Sequence, residues 1–200
     1  MNFHEIKNEA KISLVNNRLM FFLAILIVGA ITGLTSYFLI GILVAPILSM
    51  GLYLLGSDLL EKKGFNIYRV FDLFKDLNHA IKLVGVYFLT ALIVIGGLIL
   101  LVIPGIIFAY QYSQASYIMV ENPELGIWDA MKKSKEMMKG FKMDFFVFQL
   151  SFIGHIILIA LTFGLYGIYI IPYIQLSMFN YYKRLNKLQN PRPKQIILDL

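Results

Sequence analysis

The chain has no cysteine, which excludes disulfides, thiolate chemistry and cysteine-bound metal and removes any redox cue to its compartment. Its three histidines, His4, His79 and His155, lie far apart without ligand spacing, so no metal site is expected. It carries no Gly-rich phosphate loop, paired-acid motif or nucleotide fingerprint, so no cofactor is expected either. The most consequential absence is of charge. All 18 Lys and Arg and all 12 Asp and Glu fall outside three stretches, Leu19–Ser57, Leu83–Val120 and Phe145–Tyr182.

What fills those stretches is apolar. The 200 residues are 58% hydrophobic with a mean hydropathy of +0.72, beyond an ordinary soluble domain. As one helix, each stretch would be about 57 Å long at about 1.5 Å per residue. A hydrocarbon core is about 30 Å thick, so each stretch suits two crossings. The expected fold is therefore an all-α membrane protein, with six transmembrane helices arranged as three helical hairpins. Residues 1–185 form that domain, and 186–200, with Pro191 and Pro193, form a mobile cytoplasmic tail. Every Lys and Arg lies on the termini or the two linkers, and the positive-inside rule then places both termini in the cytoplasm. Lys7, Lys11 and Arg18 precede an apolar run too long for a signal-peptide core, so the first span is expected to be retained.

The charged segments read as amphipathic helices at the interface. Residues Met1–Arg18 place Phe3, Ile6, Ala10 and Leu14 on one face. In the first linker, Ile67, Val70, Phe71, Phe74 and Leu77 recur opposite Arg69, Asp72, Lys75 and Asp76. In the second, Asn122 is the expected N-cap, Pro123 the first helical residue and Gly140 the stop. The turn of the second hairpin is expected at Gly96-Gly97 or at Pro104-Gly105, and that of the third near Gly164–Gly167.

Three segments carry a resemblance: "LLVIPG" ending at Gly105, "ENPELGIWDAMKKSKEMMKG" at 121–140, and "LSFIGHIILIALTFGLYGIYIIPY" at 150–173. With these the chain resembles DUF975, a family of bacterial integral membrane proteins of unknown function. The resemblance implies a multi-pass protein of the bacterial cell membrane and brings no reaction with it. Where the family pattern reads Phe-Ile-Gly-Trp, this chain reads Phe152-Ile153-Gly154-His155.

No catalytic residues are expected. His155 is the one acid–base side chain within a span, with Ser151 one helical turn before it. A serine there ordinarily bonds its own backbone carbonyl, so the pair does not by itself indicate a hydrolase. Gln111, Gln114, Gln149, Ser151, His155 and Gln175 are the candidates for a polar intramembrane site, with helix–helix hydrogen bonding as the plainer reading. Lys132, Lys133, Lys135, Lys139, Lys183, Arg184 and Lys187 are the candidates for contact with anionic headgroups. The expected function is non-enzymatic. It is that of an accessory or protective, immunity-like factor contacting membrane lipid, another membrane protein or a membrane-active peptide, with no nucleic acid involved. The competing expectation is a small transporter or channel, with a polar cavity between spans four to six and proline-broken helices at Pro46, Pro104 and Pro172.

Overall fold

The computed structural model describes residues 1–36 and 40–190; residues 37–39 within the first uncharged stretch and the expected tail beyond Asn190 lie outside them. The described residues are helical, with no strand among them: α1 (Phe3–Ser13), α2 (Arg18–Ser36), α3 (Gly41–Leu60), a 3₁₀ helix (Ile67–Phe74), α4 (Leu77–Leu100), α5 (Val102–Tyr112), α6 (Ala115–Glu121), α7 (Ile127–Met137), α8 (Lys142–Leu150), α9 (Ile153–Leu161) and α10 (Leu165–Gln189). Four helical runs are long and apolar enough to cross a membrane: α2, α3, α4 and the α8–α9 run Lys142–Leu161. α10 has the length, but Gln175, Ser177, Asn180 and five tyrosines before Lys183 dilute its apolar character. α5 and α6 together cover the expected fourth span, broken at Ser113-Gln114.

Several boundaries differ from those expected, each for a local reason. Asn122 does not open α7. Its Nδ2 donates to the Ile118 carbonyl at 2.8 Å and closes α6, while Lys82 Nζ donates to the Pro123 carbonyl at 2.9 Å and holds that segment outside the helix. Gly126, in extended backbone, is the cap residue of α7 instead, and Gly140 (φ +85°) closes the segment that follows it. The first linker forms a 3₁₀ helix, whose three-residue repeat aligns Ile67, Val70 and Leu73; Phe71 and Phe74 face outward. Asp76 ends it by accepting from the His79 N–H at 3.1 Å and so capping α4. The break between α4 and α5 is the extended residue Leu101. Gly97 and Gly105 flank it as a contact point, since a Cβ on Gly97 would stand 2.9 Å from the Gly105 Cα. Phe163 (φ +48°) and Gly164 (φ +88°) make the turn into α10. Pro46 and Pro172 do not break their helices, since α3 and α10 run through them, while Pro104 sits in the first turn of α5, after the Leu101 break.

Burial divides the molecule. A continuous core joins the inner face of α1 (Ile6, Ala10, Leu14), α3 from Ile47 to Leu59, the first turns of α4, α6, α7 and the second half of α10. In the other half the apolar side chains point outward. α9 has no buried residue, and Ile99, Leu100, Val102 and Ile103 at the α4–α5 end are all exposed. Apolar surface of that extent calls for a membrane or a partner.

Gly51 fixes the packing of the linker on α3, because a Cβ there would overlap the Val70 carbonyl oxygen. Gly51→Ala should therefore lower stability by about 1–3 kcal/mol through overpacking. Gly29→Ala, where nothing lies within 4 Å, should be neutral or stabilising. Thermal unfolding of both variants in one detergent checks the contrast.

Candidate functional site

Successive residues of a helix are turned by about a quarter-circle or more, so a helix surrounded by neighbours can address each with a different residue. The last third of α10 does this. Asn180 Nδ2 donates to the Ile6 carbonyl (3.0 Å) and to Glu9 (2.8 Å) on α1. The Tyr181 hydroxyl donates to Asp144 of α8 at 2.9 Å, and the Met1 ammonium reaches the other oxygen of that carboxylate at 3.3 Å. The Tyr182 hydroxyl donates to Glu121 at the end of α6 at 2.9 Å. Lys183 pairs with Glu61 just after α3. Arg184 forks onto Glu5 (2.7 Å) and Glu9 (2.5 Å). Asn186 Nδ2 donates to Glu121 at 3.1 Å, and Gln189 Nε2 to the Met137 carbonyl of α7 at 2.7 Å.

Glu121 is the densest node. Its two oxygens accept from the hydroxyls of Tyr53 and Tyr182 and from Asn186. Tyr117 stacks on Tyr182 with ring centroids 5.1 Å apart and lies 4.9 Å from the Tyr53 ring. Three donors thus satisfy both carboxylate oxygens without a cation beside them. Chemically the cluster is a satisfied polar anchor. Burial raises the Glu61 carboxyl, but the ammonium groups of Lys183 and Lys63 outweigh it and hold the group at about 2. Glu9 follows the same balance, with burial opposed and outweighed by Arg184 and Asn180, and its carboxyl also sits below the ordinary range.

The six polar span candidates are distributed over separate contacts. Gln111 and Gln114 are buried against α7: Ser134 Oγ donates to the Gln111 carbonyl (3.0 Å), the Gln114 N–H donates to Ser134 Oγ (3.2 Å), and Lys142 Nζ donates to Gln111 Oε1 (3.2 Å). Gln149 accepts from the Tyr110 hydroxyl at 3.0 Å. Ser151 donates to the Phe148 carbonyl at 2.5 Å, the backbone bond expected of such a serine, and accepts from Lys7 Nζ at 2.7 Å. His155 Nδ1 lies 3.1 Å from the Tyr166 hydroxyl. Gln175 makes no side-chain hydrogen bond among the described residues. The basic candidates also separate. Lys183 and Arg184 are spent on acids, whereas Lys132, Lys135, Lys139 and Lys187 are exposed and form no ion pair among the described residues. Sequence reasoning missed Glu121, Tyr53 and Tyr117. The available signal was the run Asn180-Tyr181-Tyr182-Lys183-Arg184, too polar for a simple interface belt.

A carboxyl depressed in the folded state adds stability above its ordinary value near 4.5 and loses it as pH falls toward about 2. Stability of the wild type should therefore fall on acidification from pH 5 to pH 3. Glu61→Gln should flatten part of that fall. Melting temperatures of both proteins across this range provide the check.

Residues 76–189, more than half of the chain, match the family described as "Protein of unknown function (DUF975)". No curated protein and no solved structure matches the chain. The matched region begins at the Asp76 cap of α4 and ends at Gln189, so it takes in the whole of α10 with the Tyr182, Lys183 and Arg184 ties. The chain belongs to the DUF975 family.

Proposed function

We propose that the chain is a multi-pass integral protein of the bacterial cytoplasmic membrane that acts by binding, as an accessory or protective factor, and performs no catalysis. In this reading the four apolar runs are joined by α5–α6 and α10 to give six crossings in three hairpins, with both termini in the cytoplasm. Two contacts support the common side of the termini: Met1 shares Asp144 with Tyr181, and Glu5 pairs with Arg184, so the start of α1 and the charged end of α10 lie together.

One observation carries the choice of binding over transport. Five of the six polar span candidates already have partners within the chain, and those partners differ from one residue to the next. A translocation path needs a shared polar face with donors left for its cargo. The natural absence of cysteine makes the test direct. Single cysteines at Gln111, Gln149 and Gln175 should resist a water-soluble maleimide, while one at Lys132 labels fully. Rapid labelling of the three inner positions would instead favour the transporter.

α7 and the turn that follows it offer the binding surface. Trp128, Lys132, Lys135 and Lys139 recur at four-, three- and four-residue steps, and all are exposed; Ala130, Met131, Ser134 and Met137 hold the opposite side in the core. A tryptophan beside a lysine row suits an anionic headgroup layer, at about 1 kcal/mol per lysine. Trp128 is the one tryptophan of the chain and reports on this surface alone. Its emission should shift to the blue in nanodiscs containing phosphatidylglycerol relative to pure phosphatidylcholine. Converting Lys132, Lys135 and Lys139 to Gln, or adding about 1 M salt, where the screening length shrinks to about 3 Å, should reduce that shift.

A further inference from the structure

α1 does not lie flat beneath the helices. Its contacts pair Glu5 and Glu9 with Arg184, Ile6 with Asn180 and, past the turn, Arg18 with Tyr169, so the N-terminal segment runs antiparallel along α10. Arg18 is thereby carried to the opening turns of α10. Its guanidinium carbon stands 3.7 Å over the Tyr169 ring. About 21 Å of helix separates Tyr169 from Lys183, where the acids of the anchor begin.

Arg18 has no acid at that position. It forms no ion pair among the described residues, and its Nη1 is buried without a hydrogen-bond partner. A desolvated guanidinium nitrogen left unpaired costs free energy, and the aromatic face offsets only part of that cost. Beside it lies a shallow, open groove lined by Arg18, Leu19, Leu165, Ile168 and Tyr169. The leucines and Ile168 are exposed, so the groove has one cationic end and apolar walls. We infer that this groove holds an anionic phospholipid, with its phosphate on the accessible edge of the Arg18 guanidinium and an acyl chain along Leu19, Leu165 and Ile168. Two features of the molecule choose that occupant. The guanidinium fork matches phosphate geometry, and the neighbouring surface demands an apolar tail. The inference rests on the membrane reading above, since only a bilayer supplies such an amphiphile continuously.

Native mass spectrometry of the full-length protein in detergent tests it, with dioleoyl phosphatidylglycerol, dioleoyl phosphatidylcholine and inorganic phosphate as probes. The expected result is one saturable phosphatidylglycerol adduct, little phosphatidylcholine binding, and no displacement by equimolar inorganic phosphate. Arg18→Gln should weaken the phosphatidylglycerol adduct about tenfold or more, and Arg18→Lys by less. Unchanged binding by Arg18→Gln, equal binding of the two lipids, or displacement by inorganic phosphate would each overturn the assignment. Should Arg18→Gln fail to fold, Leu165→Trp fills the groove without touching the charge; undiminished phosphatidylglycerol binding there overturns it equally. Failure of the membrane reading appears elsewhere, as release of the protein from membranes by alkaline carbonate.

Discussion

Asp144, Glu121, Glu61 and the pair Glu5–Glu9 hold one end of α10 against α8, α6, α3 and α1, and the arrangement of the other helices follows from these ties. A buried donor left without its partner costs about 1–3 kcal/mol, so the ties of the buried Tyr53, Asn180, Tyr181 and Tyr182 specify position more strongly than their net stabilisation suggests. Apolar helices slide past one another at little cost in lipid, because the tails are as apolar as the side chains. Polar ties at one end therefore set the register for the whole bundle. Glu121 shows this most clearly. Its carboxylate brings Tyr53 of α3 and Tyr182 of α10 onto one residue of α6, and Tyr117 packs between them.

The same division explains the distribution of burial. Around the anchor, side chains from α1, α3, α6, α7 and α10 close into a core. Away from it, α9 and the α4–α5 end turn their apolar residues outward. In water that arrangement would be unfavourable, at about 25 cal/mol for each Å² of apolar surface left exposed. Within a bilayer it costs nothing comparable. One half of the molecule is thus organised by hydrogen bonds and the other by the solvent it faces.

Much of this was legible in the sequence, and the failures have physical causes. The apolar runs were plain because a single Lys or Arg within a span costs about 2.5–3.5 kcal/mol, which leaves a clear mark on composition. The inner face of α1 was also plain, since Ile6, Ala10 and Leu14 obey helical spacing and all are buried. The 3₁₀ form of the linker was not legible because 3₁₀ and α repeats differ by little over eight residues, and the close approach of Val70 to Gly51 of α3 is a property of the fold. Asn122-Pro123 was misread because a cap motif is local, whereas the Lys82 contact that holds Pro123 outside α7 spans 41 positions. Lys183 and Arg184 looked like lipid ligands because their acids lie more than a hundred residues away in sequence. Composition shows that a charge exists; which partner it finds is a property of the folded contacts.

α1 connects the two halves. Its acidic residues Glu5 and Glu9 are fixed by Arg184, and Lys7 is held further along by Ser151 Oγ at 2.7 Å and the Phe152 ring at 4.2 Å. With those points fixed, the buried row Ile6, Ala10 and Leu14 leaves the short turn before α2 little freedom. Arg18 therefore reaches Tyr169 because Glu5 and Glu9 are bound at the opposite end. A change in the anchor should be felt at the groove through this strut, without any movement of α10 itself. The isolated cation at Arg18 is then a consequence of the way the polar end is tied together, and its lipid contact depends on those ties as much as on the groove's own residues.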